Sequence, residues 1–547
     1  MKNSKKIVCL LLALLMLASL LAGCGSEAAT SPTPGQVSAP PQTQTPDGED
    51  ETAPLDDGVF KLPIVDDRIE FEVWIPVAAS ARIASLSDIK AYQEIDKLTN
   101  IGIKWLQPSQ GEAATQFSLT IASNMYPDCF MAGPEYYIGG LDKYVDDEII
   151  LDLNDLIDDY APNYDALRNQ SDEIRKWTMT DSGAVPYFRT INYTVQPEYL
   201  GIIGRIDWLN ELGLEKPRTY DEYYTVLTAL KDKANIAPLS FMTNNGIDDS
   251  FSAGFGVVNR FQLDENGKVA LGVTLPAFKD YLTMMNKWYA EGLIYDGFTS
   301  FVFYSDTALM TNGDLAIFPS VYVFIDMLKL MSGGTTEWGA MPLPTKNVGD
   351  KRNVAIYDIV RTLVGGAIAS ITTTCKDPVV MTKWLDYFYT EEGSLISNYG
   401  IEGESFEMTA DGPALLPNIW ANPEGLSQGD ALGEFACPPN HPKLYSWERE
   451  MSPGVSEEQG GAGPLWNSNY VDTLSLPPAI TPTTEESSEY SAIMTDVDTY
   501  VTEMIPRFIM GLRPIEEFDD FIAQLRAMGL DRATELRQLA YDRYLTR

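Results

Sequence analysis

The sequence predicts an α/β fold, with a mostly parallel sheet and at least two lobes. Three observations carry this. Short apolar runs alternate with helical patterns from Ile69 onward, the arrangement that builds a parallel sheet covered on both faces. Residues 59–547 exceed the ~250–300 at which a single core stops growing. The residues before them, 1–58, show neither pattern and read as address and tether.

The chain opens with Lys2, Lys5 and Lys6, then runs apolar from Ile7 to Leu21, a cleavable export signal over residues 1–23. Leu21-Ala22-Gly23-Cys24 resembles the bacterial lipobox, in which cleavage before the cysteine leaves its thiol to carry lipid; Cys24 is the expected lipidation site. Residues 24–58 are Ser, Thr, Pro, Gly and acid, a disordered tether. No later segment reaches the ~18 uninterrupted apolar residues of a membrane span, so the expected place is the extracytoplasmic face of the cell membrane, held by lipid only.

The first strand is expected in "IEFEVWIPV" from Ile69, followed by a helix carrying Ile89, Tyr92, Ile95 and Leu98 and a strand from Ile101 to Trp105. "QFSLTIASNMYPDCFMAG" then gives a helix, a turn at Tyr126-Pro127-Asp128, and a strand from Cys129 to Ala132. Ligands of such sheets lie at the carboxyl ends of the strands, which makes Trp74, Tyr136 and Tyr137 candidate site residues. A strand from Leu200 to Ile203 runs into Asp207, the expected N-cap of a short helix that Gly213 ends. Thr219-Tyr-Asp-Glu222 forms a capping box opening the next helix. Asp264-Glu265-Asn266-Gly267 reads as a hairpin turn, and Asp377-Pro378 as a helix start. Near the end, Phe518, Phe521, Ile522, Leu525 and Met528 form one helical stripe and Leu536, Leu539, Ala540 and Tyr544 another.

Composition excludes more chemistry than it proposes. A single histidine, His441, leaves no room for a Ser-His-Asp machine or a multi-imidazole zinc site. No phosphate-cradling glycine loop is present, and neither a metal nor a cofactor is expected. Five cysteines, two of them in or at the leader, do not make a disulfide framework. The formal charge of −39 repels nucleic acid and anionic lipid.

Several stretches in order resemble the extracellular solute-binding proteins of ABC importers, family 1, large lipoprotein branch. They include "LDLNDLIDDYAPNY" from 151, "GRIDWLNELGL" from 204, "PRTYDEYYTVLTALKD" from 217, "GDLAIFPS" from 313, "WGAMPLPTK" from 338, "TEEGSLISNYGIEGESF" from 390 and "FIMGLRPIEEFDDFIAQLRAMGL" from 508. The resemblance implies a two-lobe periplasmic-binding-protein-like fold with a hinge between the lobes. It implies an N-terminal lobe of residues 59–200 and 340–400 and a C-terminal lobe of 201–339 and 401–547. Crossings would lie near 198–206, 336–342 and 400. The stretch 411–482 matches poorly and reads as loop over the lobes.

The implied function is capture of a small-molecule ligand, expected to be an oligosaccharide, by a monomer that delivers it to ABC permease subunits without being an enzyme. Sugar sites pair aromatic platforms with planar polar groups. Position therefore adds Tyr187, Asn244, Asn245, Tyr322 and Glu402 to the candidate ligand-binding residues. A peptide or other small solute in the same fold, and a secreted glycoside hydrolase using paired carboxylates, are the alternatives.

Overall fold

A computed structural model describes residues 61–77, 82–133, 136–137, 140–195, 197–243, 249–356, 364–422, 424, 426–451 and 454–547. The leader, the tether with Cys24, and Asn244 and Asn245 lie outside the described residues. The described strands are β1 (Ile69–Trp74), β2 (Ile101–Leu106), β3 (Cys129–Phe130), β4 (Phe188–Asn192), β5 (Leu200–Arg205), β6 (Phe261–Leu263) and β7 (Val269–Leu271). They continue with β8 (Ile317–Val321), β9 (Trp338–Met341), β10 (Val364–Ile371), β11 (Phe406–Thr409), β12 (Gly412–Leu415) and β13 (Leu444–Tyr445).

A six-stranded sheet runs β13-β4-β10-β3-β1-β2, and a three-stranded sheet runs β8-β5-β9. In the larger one β1 lies parallel to both β2 and β3, as the alternation of strand and helix predicts. The helix Lys90–Thr99 supplies one crossover, burying Ala91, Tyr92 and Ile95 and ending at Asn100 in the left-handed conformation, φ 60°. β3 stops at Phe130 rather than Ala132, because Ala132 and Gly133 take φ of 120° and 122° and leave the strand region. The expected parallel order fails in the smaller sheet, where β5 is antiparallel to both neighbours. Leu239 joins this region only through isolated bridges to Ile294 and Ile317.

Chain passages between the sheets follow from the pairing. The first, between β4 and β5, spans 193–199, and the second, between β9 and β10, spans 342–363. The third does not come near 400. Leu444 and Tyr445 pair with Ile191 and Asn192 in the larger sheet, so the chain leaves that sheet only after β13. Sequence could not locate this because a two-residue strand has no period to detect. Nor is 411–482 a loop. It holds the β11–β12 hairpin, the helices Pro417–Trp420, Gln428–Leu432, Glu457–Gly460 and Ala462–Asn467, and β13.

Helices form largely where caps and stripes place them. Gly213 closes Ile206–Leu212 with φ 66°, although the helix begins one residue before Asp207, whose carboxylate instead takes the Arg205 guanidinium at 2.6 Å. Thr219 caps Tyr220–Ala234 through Glu222 N at 3.2 Å, while the Glu222 carboxylate also accepts from Arg218 N at 2.7 Å. Asp377 caps Pro378–Tyr387 through Val380 N at 3.0 Å. The Asp264 carboxylate accepts from Asn266 N and Lys268 N at 2.8 and 2.9 Å, closing the β6–β7 hairpin turn.

The helices Thr484–Ile509, Phe518–Ala527 and Leu530–Thr546 close the chain. The last buries Leu530, Ala533, Leu536, Ala540 and Tyr544, while Leu539, counted on its stripe, is exposed because it falls a turn-fraction off that face. The first and last of the three pack on the second-sheet side, against the helix Pro276–Ala290 and β7. At its end the last helix also reaches the loop before β4. Arg543 donates to Asp181 at 3.0 Å, Arg547 pairs with the same carboxylate, and Lys176 Nζ donates to Tyr544 O at 3.1 Å.

Candidate functional site

A cavity of about 1220 Å³ is lined by segments that follow strands of both sheets. From the larger sheet come Val77, just past β1, and Gln107 and Gln110, just past β2. This is the carboxyl end of parallel strands, where ligands of such sheets bind. The opposite wall is the helix Phe324–Met331 after β8, with Val323, Met327 and Leu330 at helical spacing toward the cavity. The roof comes from residues 420–440, among them Trp420, Leu426, Leu432 and Asn440.

Much of the polar lining is already committed to holding the walls. Gln107 Oε1 accepts from Leu86 N at 3.0 Å and its Nε2 donates to Ala84 O at 3.0 Å, which ties the loop after β1 to β2. Asn440 Nδ2 donates to Pro76 O at 2.8 Å. On the far wall, the Asp326 carboxylate accepts from Ser456 N at 2.9 Å. Arg449 is buried, donates to Asn398 O at 2.9 Å, and stacks over Tyr445 at 4.9 Å. Such bonds leave a cleft of apolar walls with a few fixed polar edges, the composition of small-molecule sites.

Behind the roof lies a buried polar cluster. Lys443 Nζ donates to Cys437 O at 2.8 Å and to Ser397 O and Pro438 O at 3.3 Å. Burial, with the Arg449 charge, pushes its ammonium down to about 7. Burial pushes the Cys437 thiol up to about 11, so it is an unreactive thiol although it borders the cavity. His441 is buried, 4.0 Å from the Phe388 ring by centroid, and its Nδ1 lies 2.9 Å from the Tyr92 hydroxyl.

Burial holds the His441 imidazole well below its ordinary value, and Lys443 adds to this. The folded protein therefore keeps it neutral where the unfolded chain, near the usual ~6.5, takes up a proton. Stability from this group is full above about 6.5 and declines as pH falls below it. We expect the single imidazole signal in the proton NMR spectrum not to titrate between pH 7.5 and 5.5. Wild type should lose more stability over that interval than His441→Asn, compared by urea midpoints; equal losses would refute the assignment.

The sequence-chosen candidates are placed elsewhere. None of the six described ones lines this cavity. Trp74 is buried at the end of β1 in a separate aromatic cluster with Phe117 and Phe130, at 5.7 and 5.8 Å. Tyr136 and Tyr137 pack on the same cluster, Tyr137 donating to Asp147 and stacking on Tyr144 at 4.8 Å. Tyr187 is buried and accepts from Arg189 at 3.2 Å; Tyr322 is buried at the start of the far-wall helix, whose next turns do line the cavity. Glu402 is exposed in the turn before β11. Aromatics placed just after strands fill the space above the sheet, so position in sequence selected core packing. Trp420, which does line the cavity, lies in the stretch 411–482 that reads in sequence as loop, so nothing there marked it.

Among the described residues, no group of three or more His, Cys, Asp or Glu is placed to hold a metal ion, and no helix is long and apolar enough to cross a membrane.

A family model described as bacterial extracellular solute-binding protein matches residues 84–394. The fructooligosaccharide ABC transporter substrate-binding protein FusA of Streptococcus pneumoniae serotype 4 is 23% identical over 489 residues, 83% of this chain and 86% of that protein. Lipoprotein LipO of Bacillus subtilis is 27% identical over 238 residues, 38% of this chain and 44% of LipO. Among solved structures, the alginate-binding protein AlgQ2 without calcium ion superposes with a TM-score of 0.70 at 22% identity, covering 88% of this chain and 99% of that one.

Proposed function

The chain belongs to the bacterial extracellular solute-binding proteins, and from that premise we propose that it captures an oligosaccharide in the cleft between its lobes and delivers it to an ABC permease. The observation that carries this is the cavity itself, walled by loops after β1 and β2 on one side and by the helix after β8 on the other. A ligand held by both walls favours the state in which they approach, which is the linkage a hinged receptor needs. At about 1220 Å³ the cavity exceeds the ~300–1,000 Å³ of pockets for drug-sized ligands, so it suits a chain of sugars better than one ring. FusA and AlgQ2 are named for fructooligosaccharide and alginate, which supports the glycan reading.

Anchoring by a lipid on Cys24, with the tether keeping the receptor near its permease, rests on the Leu-Ala-Gly-Cys leader and on the similarity to lipoprotein LipO. The lobes are proposed to be divided by the crossings at 193–199, 342–363 and after 445. Asp326 is the one carboxylate among the described lining residues, whereas hydrolysis of a glycosidic bond calls for two facing each other. We therefore read the protein as a receptor and not as an enzyme.

Residues 59–547, warmed with a panel of fructans, alginate fragments and human-milk-type glycans, should show a dose-dependent rise in Tm with one glycan class. Peptide pools serve as the contrast. A rise with peptide and none with any glycan would replace the cargo and keep the receptor.

A further inference from the structure

Resting on the glycan reading, we propose that Trp420 is the stacking platform of the cleft, and that the small module carrying it selects which sugar ring is accepted. Residues 399–436 form a unit with its own core. Phe406 and Leu415 from the β11–β12 hairpin meet Tyr399, Ile419 and Leu432. The unit is seated on the first-lobe side, with Lys90 N and Ala91 N donating to Glu434 O and Phe435 O at 3.1 and 3.0 Å. It is thus a packed insert beside the cavity, with a core of its own.

Trp420 stands on the cavity edge of that insert, half-buried, and is the one aromatic side chain among the described lining residues. Two independent contacts fix its ring. Nε1 donates to Leu415 O at 3.0 Å. Gly454, in the passage toward the second lobe, backs it so closely that a Cβ there would sit 2.7 Å from Trp420 Cβ and 3.0 Å from Cε3. Two residues on, the Asn422 amide donates to Leu426 O at 3.0 Å and accepts from Leu426 N at 2.8 Å.

A ring held on its edge and its back gives up no rotamer freedom when a ligand arrives. Across the cleft, Val323 and Leu330 are 46% and 57% exposed, a second apolar surface on a helix that also brings Asp326 and Lys329 to the lining. A sugar ring stacks on the indole when it presents an unbroken C–H face to it, since an axial hydroxyl pressed against the ring would be desolvated without a partner. The platform therefore discriminates by the stereochemistry of one ring, while the polar edges register its hydroxyls.

Isothermal titration with the glycan that raises the Tm of wild type tests this. Trp420→Leu, which fills the site without a π face, should weaken binding by about tenfold or more, and Trp420→Phe by less than about threefold. Gly454→Val, which leaves the indole in place but pushes it, should also weaken binding, and Trp208→Phe, outside the lining, should not. Near-UV circular dichroism confirms that each variant is folded. Unchanged affinity in Trp420→Leu overturns the platform while leaving the receptor reading intact. Equal losses in Leu and Phe variants assign Trp420 a structural role through its Nε1 bond and also overturn it. A wild type that binds no glycan overturns both readings.

Discussion

Arg352→Met is expected to cost about 3–5 kcal/mol of stability, measured as a lowered urea midpoint of the folded domain. Arg352 and Glu198 are 0% and 1% exposed, with Nη2 2.9 Å from Oε2. Glu198 lies in the first passage between the sheets and Arg352 in the second. The same guanidinium donates to Trp466 O at 2.6 Å and to Asn469 Oδ1 at 3.1 Å, in the segment that follows the third. One buried cation thus ties the first two passages to the segment that follows the third. Removing it leaves the Glu198 carboxylate buried without its main counter-charge, and that desolvation dominates the loss. Replacing both members, Arg352→Met with Glu198→Leu, should restore a large part of it. If the double variant is no more stable than the single one, the pair's worth lies in the hydrogen bonds to Trp466 and Asn469 instead.

Asp181→Ala is expected to cost about 2–3 kcal/mol, with hydrogen exchange accelerated in residues 530–547 ahead of the rest. Its carboxylate is 3% exposed and takes both Arg543 and Arg547 from the final helix. The cost is smaller than at Arg352 because Arg543 keeps Glu486 at 2.9 Å and Arg547 keeps Lys176 O and Met179 O at 2.6 Å. This cluster is where helices packed on the second sheet grip the loop before β4. Weakening it should also loosen the lobes, read as a larger change in radius of gyration on adding ligand. Uniform exchange across the chain would show that Asp181 supports global stability and not this attachment.

Both effects sit on residues the sequence did not mark. Glu198, Arg352 and Asp181 have no periodicity, spacing or motif, because an ion pair between distant segments leaves no local trace. The cleft was legible only in outline. Its position beyond β1 and β2 followed from strand-helix alternation, but the candidates chosen there, Trp74 and Tyr136, turned inward to Phe117. A residue after a strand can face the ligand or the core, and the choice depends on what packs above the sheet.

What the sequence determined by itself was local. The helices Lys90–Thr99, Tyr220–Ala234 and Pro378–Tyr387, the turn at Gly267 and the stripe of Phe518–Ala527 follow from caps, left-handed positions and apolar spacing within a few residues. Tertiary structure decided whatever needed a partner from afar. The helix Pro162–Arg168 has no cap of its own; Asp386 supplies one, accepting from Tyr164 N at 2.7 Å across 222 positions of sequence. Burial there pushes the Asp386 carboxyl up to about 6, against the bonds it accepts. The passage after β13, the wall behind Trp420 and the buried pair between the first two passages arise in the same way. Propensity acts over one turn of chain, whereas burial and charge are satisfied by whichever groups the completed fold brings within reach.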